Sequence, residues 1–300
     1  PMEYIVAAAY EQGVPLVFWD QRDFKGMDIQ FQLGTNRQVK GSLRLNKKLY
    51  NLEDFSGVFL RTLSEQILPD MQDLEPEHPE YLHCTRLHSL LYSWCEITPS
   101  VVMNRVSSMG SNSSKPYQAS IIYKHKFKIP STIVTNNPLD VTDFMTLHKK
   151  IIYKSVSGVR SIIQVLQPAD FDRLDDIRYC PTQFQAYIEG VDYRVHVVGR
   201  ELFVTKIITN GVDYRYSQRS ENGWTELQSA TLPDWVLESC LSLSAELGLI
   251  LAGIDLRVTP EGDVYCFEVN PSPGFSYYEG HTDQPISKQI VRALSGADKH

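Results

Sequence analysis

Three oxygen-bearing side chains lie close together near the end of the chain, and their types suit a divalent cation. Asp255 stands in the segment 253–258, while Glu268 and Asn270 stand in the segment 264–270. Both segments alternate polar and apolar residues, which predicts the two strands of a β-hairpin with one polar face. Two carboxylates and an amide on that face offer hard oxygen ligands and leave room for water and phosphate oxygens, as Mg²⁺ prefers.

The register of this hairpin decides whether the oxygen ligands meet. If Glu261–Gly262 forms a two-residue turn, Asp255 faces Glu268 and Arg257 faces Cys266. Directly opposed carboxylates repel each other, and a bound cation removes that conflict. The alternative is a solvated strand face on which Arg257 bridges the two acids, and a bulge would shift the register. The opposite face is expected to be entirely apolar, with Ile254, Leu256, Val258, Tyr265, Phe267 and Val269.

The hairpin and the turn after it resemble the carboxyl-terminal signature of the ATP-grasp superfamily, particularly of its RimK-like glutamate ligases. The resemblance rests on the segments 253–256 (Gly-Ile-Asp-Leu) and 267–275 (Phe-Glu-Val-Asn-Pro-Ser-Pro-Gly-Phe), and it extends over residues 100–295. It implies an ATP-dependent ligase that activates a carboxylate as an acyl phosphate and joins it to the amine of an amino acid or peptide. It also implies Mg²⁺, with Mn²⁺ as an alternative ion, held by Asp255, Glu268 and Asn270.

Phosphate-binding residues are implied by the same resemblance further upstream. Lys154 ends a predicted strand, matches the phosphate lysine of the family, and would be catalytic. A lysine supplies a point charge to phosphate oxygens, and small loop residues let backbone N–H groups approach them. Lys115 matches an earlier phosphate lysine at the start of a predicted helix; considered alone, both residues would be exposed lysines. The loop residues implied to contact ATP are Ser157, Gly158, Arg160 and Ser161.

Nucleoside-binding residues are implied next along the chain. The segment Gln185-Ala186-Tyr187-Ile188 resembles the linker that the family lays along the adenine edge, although the common form has glutamate where Ala186 stands. In the family, main-chain groups contact adenine at this linker, so the resemblance implies that alanine is tolerated at position 186. Asp192 is implied to approach the ribose, with Glu189 as the alternative, and Arg194 to stabilise charge on the transferred phosphoryl group. Without the resemblance, Asp192 and Arg194 each read as half of a strand-end ion pair.

Two further cations complete the set of candidate ATP ligands. A two-residue turn at Gly199–Arg200 places Lys206 opposite Tyr193 and on the other face from Arg194, so Lys206 would reach ATP only through a bulge. Arg215 matches an arginine in the family's loop over the triphosphate, but the two residues that follow it differ from the family.

The elements that position these residues form an α/β and α+β pattern. Helices are expected at 3–12, 81–96, 117–125, 138–148, 233–247 and 286–294, with Asp140 or Thr142 capping the fourth. Strands are expected at 15–20, 31–36, 41–45, 57–61, 101–104, 128–135, 151–155, 161–166, 183–188, 193–198, 201–208, 254–258 and 264–269. The resemblance implies a three-part ATP-grasp fold, with a pre-ATP-grasp domain at 1–113, a lid domain at 114–188 and a carboxyl-terminal domain at 189–300.

Composition excludes several classes of function. Asp and Glu number 36 against 29 Lys and Arg, giving a net charge of −7, which disfavours a broad nucleic-acid binder. No apolar run approaches a membrane span and no signal peptide is visible. Five scattered cysteines without a CxxC pair indicate reduced thiols in a cytoplasmic protein. The chain starts inside a predicted helix at Pro1, so we expect a further strand before it.

Three functions therefore compete. The first is the carboxylate–amine ligase, acting on free amino acids or, as microviridin-type maturases do, on a ribosomal peptide. The second is an ATP-grasp kinase that releases its phosphorylated product. The third is a nucleotide-binding module without turnover, which the complete set Asp255, Glu268 and Asn270 argues against. The sequence does not identify the acid, the amine or the oligomeric state.

Overall fold

The computed structural model describes residues 1–36, 38–156, 163–210 and 224–297. Its first part contains α1 (Met2–Glu11), β1 (Met27–Leu33), β2 (Val39–Leu45), β3 (Lys48–Asn51), β4 (Gly57–Phe59), α2 (Pro79–Ile97) and β5 (Val101–Met103). Short 3₁₀ helices lie at Gln21–Gly26, Leu52–Asp54, Glu65–Ile67 and Pro69–Met71. Strands β1, β2 and β3 form an antiparallel sheet, and β4 pairs in parallel with β5. The buried face of α2 packs with β1 and β2 in one apolar cluster.

The predicted strand 15–20 is wrong. Within the described ranges this segment pairs with no strand, and the side chains of Leu16 and Phe18 are 48% and 51% exposed. It borders a groove with about 1860 Å³ of empty space, lined on another side by β4. The residues of this segment favour a strand, but a strand also needs a second strand at hydrogen-bonding distance, and within the described ranges none pairs with it.

The middle of the described chain forms an antiparallel sheet with the strand order β6-β9-β7-β8. It contains α3 (Val106–Met109), α4 (Lys115–Lys124), β6 (Thr132–Thr135), α5 (Pro138–His148), β7 (Ile151–Ser155), β8 (Gln164–Val165) and β9 (Thr182–Ala186). Further 3₁₀ segments lie at Gly110–Ser113 and Pro168–Tyr179. The predicted caps of α5 are wrong, because Asn137 caps it by accepting a hydrogen bond from the Leu139 amide at 3.2 Å.

The last part forms a five-stranded antiparallel sheet with the order β12-β11-β10-β13-β14. Its elements are β10 (Val191–Val198), β11 (Glu201–Thr209), β12 (Thr225–Ser229), α6 (Asp234–Glu246), β13 (Leu251–Val258), β14 (Val264–Asn270), α7 (Ser276–Thr282) and α8 (Ile286–Ser295). The sequence pattern did not predict β3, β12 or α7. Val198 pairs with Glu201, which confirms the two-residue turn between β10 and β11.

The two faces of the five-stranded sheet are covered differently. One face packs against α4 and α6 in a continuous core that includes Ile122, Val195, Val236, Leu243 and Ile254. The other face is covered in part by α1, α7 and α8, through residues such as Val198, Tyr278 and Ile290. The uncovered end faces the four-stranded sheet and forms a cleft between them.

The five cysteines all lie among the described residues. All five cysteines are free, and Cys180 is the exposed one. No described helix combines the length and apolar character that crossing a bilayer requires.

Candidate functional site

A row of charged side chains crosses three neighbouring strands at the uncovered end of the five-stranded sheet. Arg194 on β10 is the cross-strand partner of Asp255 on β13, which in turn is the partner of Glu268 on β14. Arg194 is only 5% exposed, and its guanidinium donates a hydrogen bond from Nη1 to Asp255 Oδ1 at 2.7 Å. The hairpin therefore brings the two predicted carboxylates face to face, next to a buried cation.

Two irregularities of the β13–β14 hairpin cancel each other. The predicted two-residue turn is wrong, because residues 259–263 form a five-residue loop that shifts the pairing by one position. A bulge at Phe267 shifts it back, so that Leu256 pairs with Cys266 and Asp255 still pairs with Glu268. The opposition of the two acids is thus produced by a loop and a bulge together.

The bulge also changes which side chains reach each face. Cys266 was predicted opposite Arg257 on the polar face, but it is 1% exposed and belongs to the apolar core. Phe267 was predicted on the apolar face, but its ring lines the cleft, 5.3 Å from the Arg257 guanidinium. Tyr265 is the partner of Arg257. Both errors come from the single extra residue in β14, since side-chain direction alternates along a strand.

Glu268 is surrounded by cations although it is mostly buried. Lys115, the first residue of α4, donates from Nζ to Glu268 Oε1 at 2.5 Å and to Asn112 Oδ1 at 3.1 Å. Burial alone raises the pKa of Glu268, but Lys115, Lys154 and Arg194 outweigh it and hold that pKa below its usual range. The carboxylate is therefore ionised at neutral pH.

The cleft beside this row contains about 780 Å³ of empty space. Its walls combine the two sheets, and among the described residues they include six of the nine that were predicted to bind ATP. The lining residues from the four-stranded side and its linker are Ile152, Lys154, Ile163, Gln185, Ala186, Tyr187 and Ile188. Those from the five-stranded side are Asp192, Tyr193, Ile207, Asp255, Leu256, Arg257, Phe267 and Glu268.

The linker after β9 presents main-chain groups to this cleft. The N–H groups of Ala186 and Tyr187 donate to the carbonyls of Ser131 and Lys150, at 2.9 and 3.0 Å. Within the described ranges the Ile188 N–H makes no backbone hydrogen bond. An adenine edge approaching the linker would therefore meet an available donor at Ile188. The Gln185 amide points elsewhere, donating to Thr132 Oγ1 at 3.0 Å.

Asp192 forms an ion pair with Arg257, as expected from the alternative to a ribose contact. Arg257 donates to both its carboxylate oxygens, from Nε at 2.6 Å and from Nη2 at 2.8 Å, and to the Ile188 carbonyl from Nη1 at 2.8 Å. Arg257 was expected either opposite Cys266 or bridging Asp255 and Glu268; it does neither. This bidentate pair ties the linker to β10 and β13, and it lies in the cleft wall.

Some predicted ligands lie elsewhere. Lys206 is opposite Tyr193, as the two-residue turn predicts, and it does not line the cleft. Glu189 is exposed and is likewise absent from the lining. Five residues implied by the resemblance lie outside the described residues: Ser157, Gly158, Arg160, Ser161 and Arg215.

The donors at the hairpin fit Mg²⁺ better than a softer metal. Among described residues, no three His, Cys, Asp or Glu side chains come together, so the candidate site consists of two carboxylates completed by an amide. Asn270 lies on β14 two residues after Glu268, and its Oδ1 accepts a hydrogen bond from the Ser272 amide at 2.9 Å. An amide oxygen has a second lone pair. Ionised, opposed oxygen ligands suit a hard divalent ion.

A buried histidine lies behind the row. His196 on β10 is 0% exposed, and its ring packs edge-on against Tyr278 with centroids 4.8 Å apart. Burial and the Arg194 charge lower its pKa well below the usual range, so it is neutral at pH 7. Its Nε2 lies 3.4 Å from the Gly274 carbonyl, in the turn that follows Asn270. Sequence reasoning did not single out His196, and it placed neither Phe267 nor Arg257 in the cleft wall; only the three-dimensional placement shows their positions.

Comparison with known proteins gives a consistent result. The RimK-like ATP-grasp domain family matches residues 112–294, more than half of the chain. The structure is similar to a RiPP-associated ATP-grasp ligase from Chryseobacterium gregarium in complex with ADP and with a leader and core peptide: TM-score 0.80, 24% identity, 100% of this chain and 93% of that chain covered.

Two further solved structures are similar. The macrocyclase MdnC from Microcystis aeruginosa, bound with precursor peptide MdnA, gives a TM-score of 0.77 at 20% identity, covering 98% of this chain and 95% of that chain. The ATP-grasp ligase PsnB, complexed with a phosphomimetic variant of its minimal precursor, Mg and ADP, gives a TM-score of 0.75 at 20% identity. The match covers 97% of this chain and 93% of that chain. At these identities the likeness establishes the ATP-grasp fold. A search of curated protein sequences gives no match.

Proposed function

This chain belongs to the RimK-like ATP-grasp family and is an ATP-dependent carboxylate–amine ligase, and we propose that its substrate is a peptide. The observation that carries the assignment of the site is the row Arg194–Asp255–Glu268, of which Asp255 and Glu268 line the cleft between the two sheets. Solved relatives that share the fold over nearly the whole chain hold ADP and precursor peptides, which supports a peptide over a free amino acid.

The proposed reaction has two steps. A carboxylate oxygen of the substrate attacks the γ-phosphorus of ATP, ADP leaves, and an acyl phosphate forms. The amine nitrogen then attacks the acyl carbon, inorganic phosphate leaves with the electron pair of the broken C–O bond, and the nitrogen loses a proton to water. No protein nucleophile is needed, so the residues contribute by positioning and by charge stabilisation.

We assign these contributions to the cations of the row. Lys154 and Arg194 lie close enough to Glu268 to lower its pKa, so they act on the same small region as the proposed metal ligands. There they would stabilise the charge that develops on the phosphoryl group. Bound at Asp255, Glu268 and Asn270, Mg²⁺ would neutralise phosphate charge, and Mn²⁺ would serve as a substitute.

The nucleoside is assigned to the other end of the cleft. The Ile188 N–H would donate to adenine, and the rings of Phe267 and Tyr187 would pack beside it. Asp192 or Glu189 would approach the ribose. Asp192 would do so while it remains paired with Arg257. Lys115 would contact phosphate once it leaves Glu268. Lys206, Ser157, Gly158, Arg160, Ser161 and Arg215 remain predicted ligands.

The domain division remains a proposal as well. The three-stranded sheet lies within 1–113, the four-stranded sheet within 114–188 and the five-stranded sheet within 189–300. Each sheet would belong to one domain, with ATP between the last two. Five free cysteines and the requirement for ATP favour a cytoplasmic location.

Product masses test the function. The protein is incubated with ATP, Mg²⁺ and a panel of amino acids and of peptides that contain acids and amines. A ligase gives ADP, phosphate and a product lighter than its reactants by one water per bond. A stable phosphorylated product without an amide would indicate the kinase, and ADP binding without any turnover would indicate the nucleotide-binding module.

A further inference from the structure

One of the proposed metal ligands is bound by a cation of the protein itself. Lys115 donates from Nζ to Glu268 Oε1 at 2.5 Å, and the two side chains are only 23% and 29% exposed. A second hydrogen bond from the same Nζ reaches Asn112 Oδ1 at 3.1 Å. Two acceptors thus fix the ammonium group beside the carboxylate, unlike an exposed surface pair. A divalent cation that binds Glu268 Oε1 must therefore displace Lys115.

Helix α4 is fastened to the strand that carries the ligands, so it does not carry Lys115 away. Gln118, one turn after Lys115 and 1% exposed, binds the backbone of Val269 twice. Its Nε2 donates to the Val269 carbonyl at 2.8 Å, and its Oε1 accepts from the Val269 amide at 2.9 Å. Val269 lies between Glu268 and Asn270 on β14. Release of Glu268 thus requires rotation of the Lys115 side chain alone.

The second proposed carboxylate ligand is also engaged by a cation. Arg194 donates from Nη1 to Asp255 Oδ1 at 2.7 Å. Lys115, Lys154 and Arg194 all act on Glu268, where they lower its pKa. Three cations therefore serve two carboxylates, which leaves one positive charge in excess. A divalent cation that arrives alone would increase this excess in a region partly withdrawn from water, where charge repulsion is strong.

A polyphosphate would reverse this balance. Lys115 is the first residue of α4, and the first turn of α4 contains no acidic residue. The positive end of the helix dipole therefore adds to the charge of Lys115, and both favour an anion. The phosphates of ADP or ATP supply several negative charges, so they would draw Lys115 from Glu268 and free its Oε1 for the metal.

We propose that Lys115 competes with the divalent cation for Glu268, so that the site binds the metal tightly only together with a polyphosphate that takes Lys115 over. This inference rests on the proposed function and makes it more specific, because it states how metal and nucleotide bind. Each would raise the affinity for the other by the same factor. Lys115 would thereby exclude a metal ion that arrives alone.

Binding of Mn²⁺ without nucleotide tests the inference and requires no turnover. Free Mn²⁺ gives an EPR signal that is lost on binding, so a titration yields the dissociation constant. Lys115→Met removes the competing charge and should bind Mn²⁺ at least about tenfold more tightly than wild type. Lys115→Arg keeps a cation beside Glu268 and should bind Mn²⁺ as wild type does. A damaged fold does not produce a gain in affinity, so the result separates competition from a loss of structure.

Two controls locate the effect. Lys124→Met is the matched control, because Lys124 ends the same helix and forms an exposed pair with Glu246 at 3.2 Å. It should leave Mn²⁺ affinity unchanged. The double variant Lys115→Met with Asn270→Ala should lose the gain, because the gained ion lies at the hairpin. With saturating ADP, and with the Mn²⁺–ADP complex in solution included in the fit, Lys115→Met and wild type should differ less than about threefold.

Several outcomes would overturn the inference. They are equal Mn²⁺ affinities of nucleotide-free wild type and Lys115→Met, an equal gain in Lys115→Arg or Lys124→Met, a gain that survives Asn270→Ala, or a gain that persists in full with ADP. Failure of the proposed function is separable. The predicted gain without any ligation by wild type refutes the ligase reaction and leaves the competition, whereas ligation by wild type without the gain refutes the competition alone.

Discussion

At the scale of single residues, the site depends on two opposed carboxylates that are largely withdrawn from water, and nearby cations keep the pKa of Glu268 low. Each of the two opposed acids has a protein cation on one oxygen: Arg194 on Asp255, and Lys115 on Glu268. These contacts offset the repulsion of two opposed negative charges until a metal binds. The third candidate ligand, Asn270, offers an uncharged amide oxygen, which accepts a hydrogen bond from the Ser272 amide.

Substitution of the proposed metal ligands should affect turnover far more than folding. Asn270→Ala and Asp255→Asn should each lower Mg²⁺-dependent kcat about a hundredfold or more. Asn270→Ala removes the hydrogen bond to the Ser272 amide, which is worth about 1 kcal/mol, and Asp255→Asn keeps an acceptor for Arg194. Steady-state ADP release and thermal melting measure the two effects. Unfolding comparable to the loss of activity in both variants would contradict the assignment.

The buried His196 should make the protein less stable in mild acid. Its folded-state pKa is depressed by burial, while an unfolded histidine titrates near about 6.5, so below that pH only the unfolded chain takes up the proton. Stability is therefore lost as the pH falls, by up to about 2 kcal/mol at pH ~5. Urea unfolding at pH 7.5 and pH 5 should show this extra loss in wild type and not in His196→Gln. An identical pH dependence of the two proteins would refute it.

At this scale the sequence predicted residue types well and their partners poorly. Asp255 and Glu268 were paired correctly, but only because the missed five-residue loop and the missed bulge shift the register in opposite directions. The contact between Lys115 and Glu268 joins residues 153 positions apart, and no local pattern encodes it. The hydrogen bonds from Arg61 to the carbonyls of Ser272 and Pro273 were missed for the same reason: they depend on how the first part of the chain packs against the last.

At the scale of elements, the glycine at position 253 of β13 leaves room for the Arg194 side chain to lie against that strand. Gly253 leaves the space that the Arg194 guanidinium and Pro273 occupy, and a Cβ there would lie 2.1 Å from Arg194 Nη2. The lack of a side chain at Gly253 thus determines where the Arg194 guanidinium lies. The bulge in β14 determines where the Phe267 ring lies. Backbone irregularity and a missing Cβ shape the site as much as the charged residues do.

Gly253→Ala should therefore displace Arg194 and reduce activity. Overpacking of this kind costs about 1–3 kcal/mol, and the displaced guanidinium should lower kcat at least about tenfold. Gly110→Ala is the matched control, because a Cβ at Gly110 would meet nothing within 4 Å. Chemical denaturation and ADP release are measured on both variants. Wild-type kcat in Gly253→Ala would show that Arg194 needs no such space.

Elements with strong periodicity were predicted closely, and those set by neighbours were not. Helix α5 has the predicted bounds, Pro138–His148, because its pattern and flanking residues are local. The five-residue loop and the bulge of the last hairpin were missed; their effects on register cancel, so the correct pairing of the two acids does not reveal them. Residues 15–20 have strand-like composition but no partner, which composition cannot show.

At the scale of the whole molecule, an acidic chain contains a locally positive site. The net charge is −7, yet Lys115, Lys154 and Arg194 act together on one carboxylate in the cleft region. These cations come from three different parts of the chain, so only the assembled fold concentrates them.

Nucleotide binding between two sheets should stabilise the entire fold. With Mg²⁺ and ADP at about 100 times the dissociation constant, the free energy of unfolding should rise by about 2.7 kcal/mol, seen as a melting temperature several degrees higher. ADP with a chelator should give a smaller rise, because the phosphates then meet Glu268 and Asp255 without a metal between them. Equal stabilisation with and without Mg²⁺ would argue against a metal at the hairpin.

Transfer of a labelled oxygen tests the central claim, acyl phosphate formation at this site, most directly. Acid-containing peptides with ¹⁸O in their carboxylates are incubated with ATP, Mg²⁺ and hydroxylamine, and the phosphate and the peptide are analysed by mass spectrometry. A ligase gives one ¹⁸O in each phosphate released together with a peptide hydroxamate, and Asn270→Ala should slow the formation of both about a hundredfold or more. Unlabelled phosphate, or a stable phosphopeptide without hydroxamate, would contradict the claim.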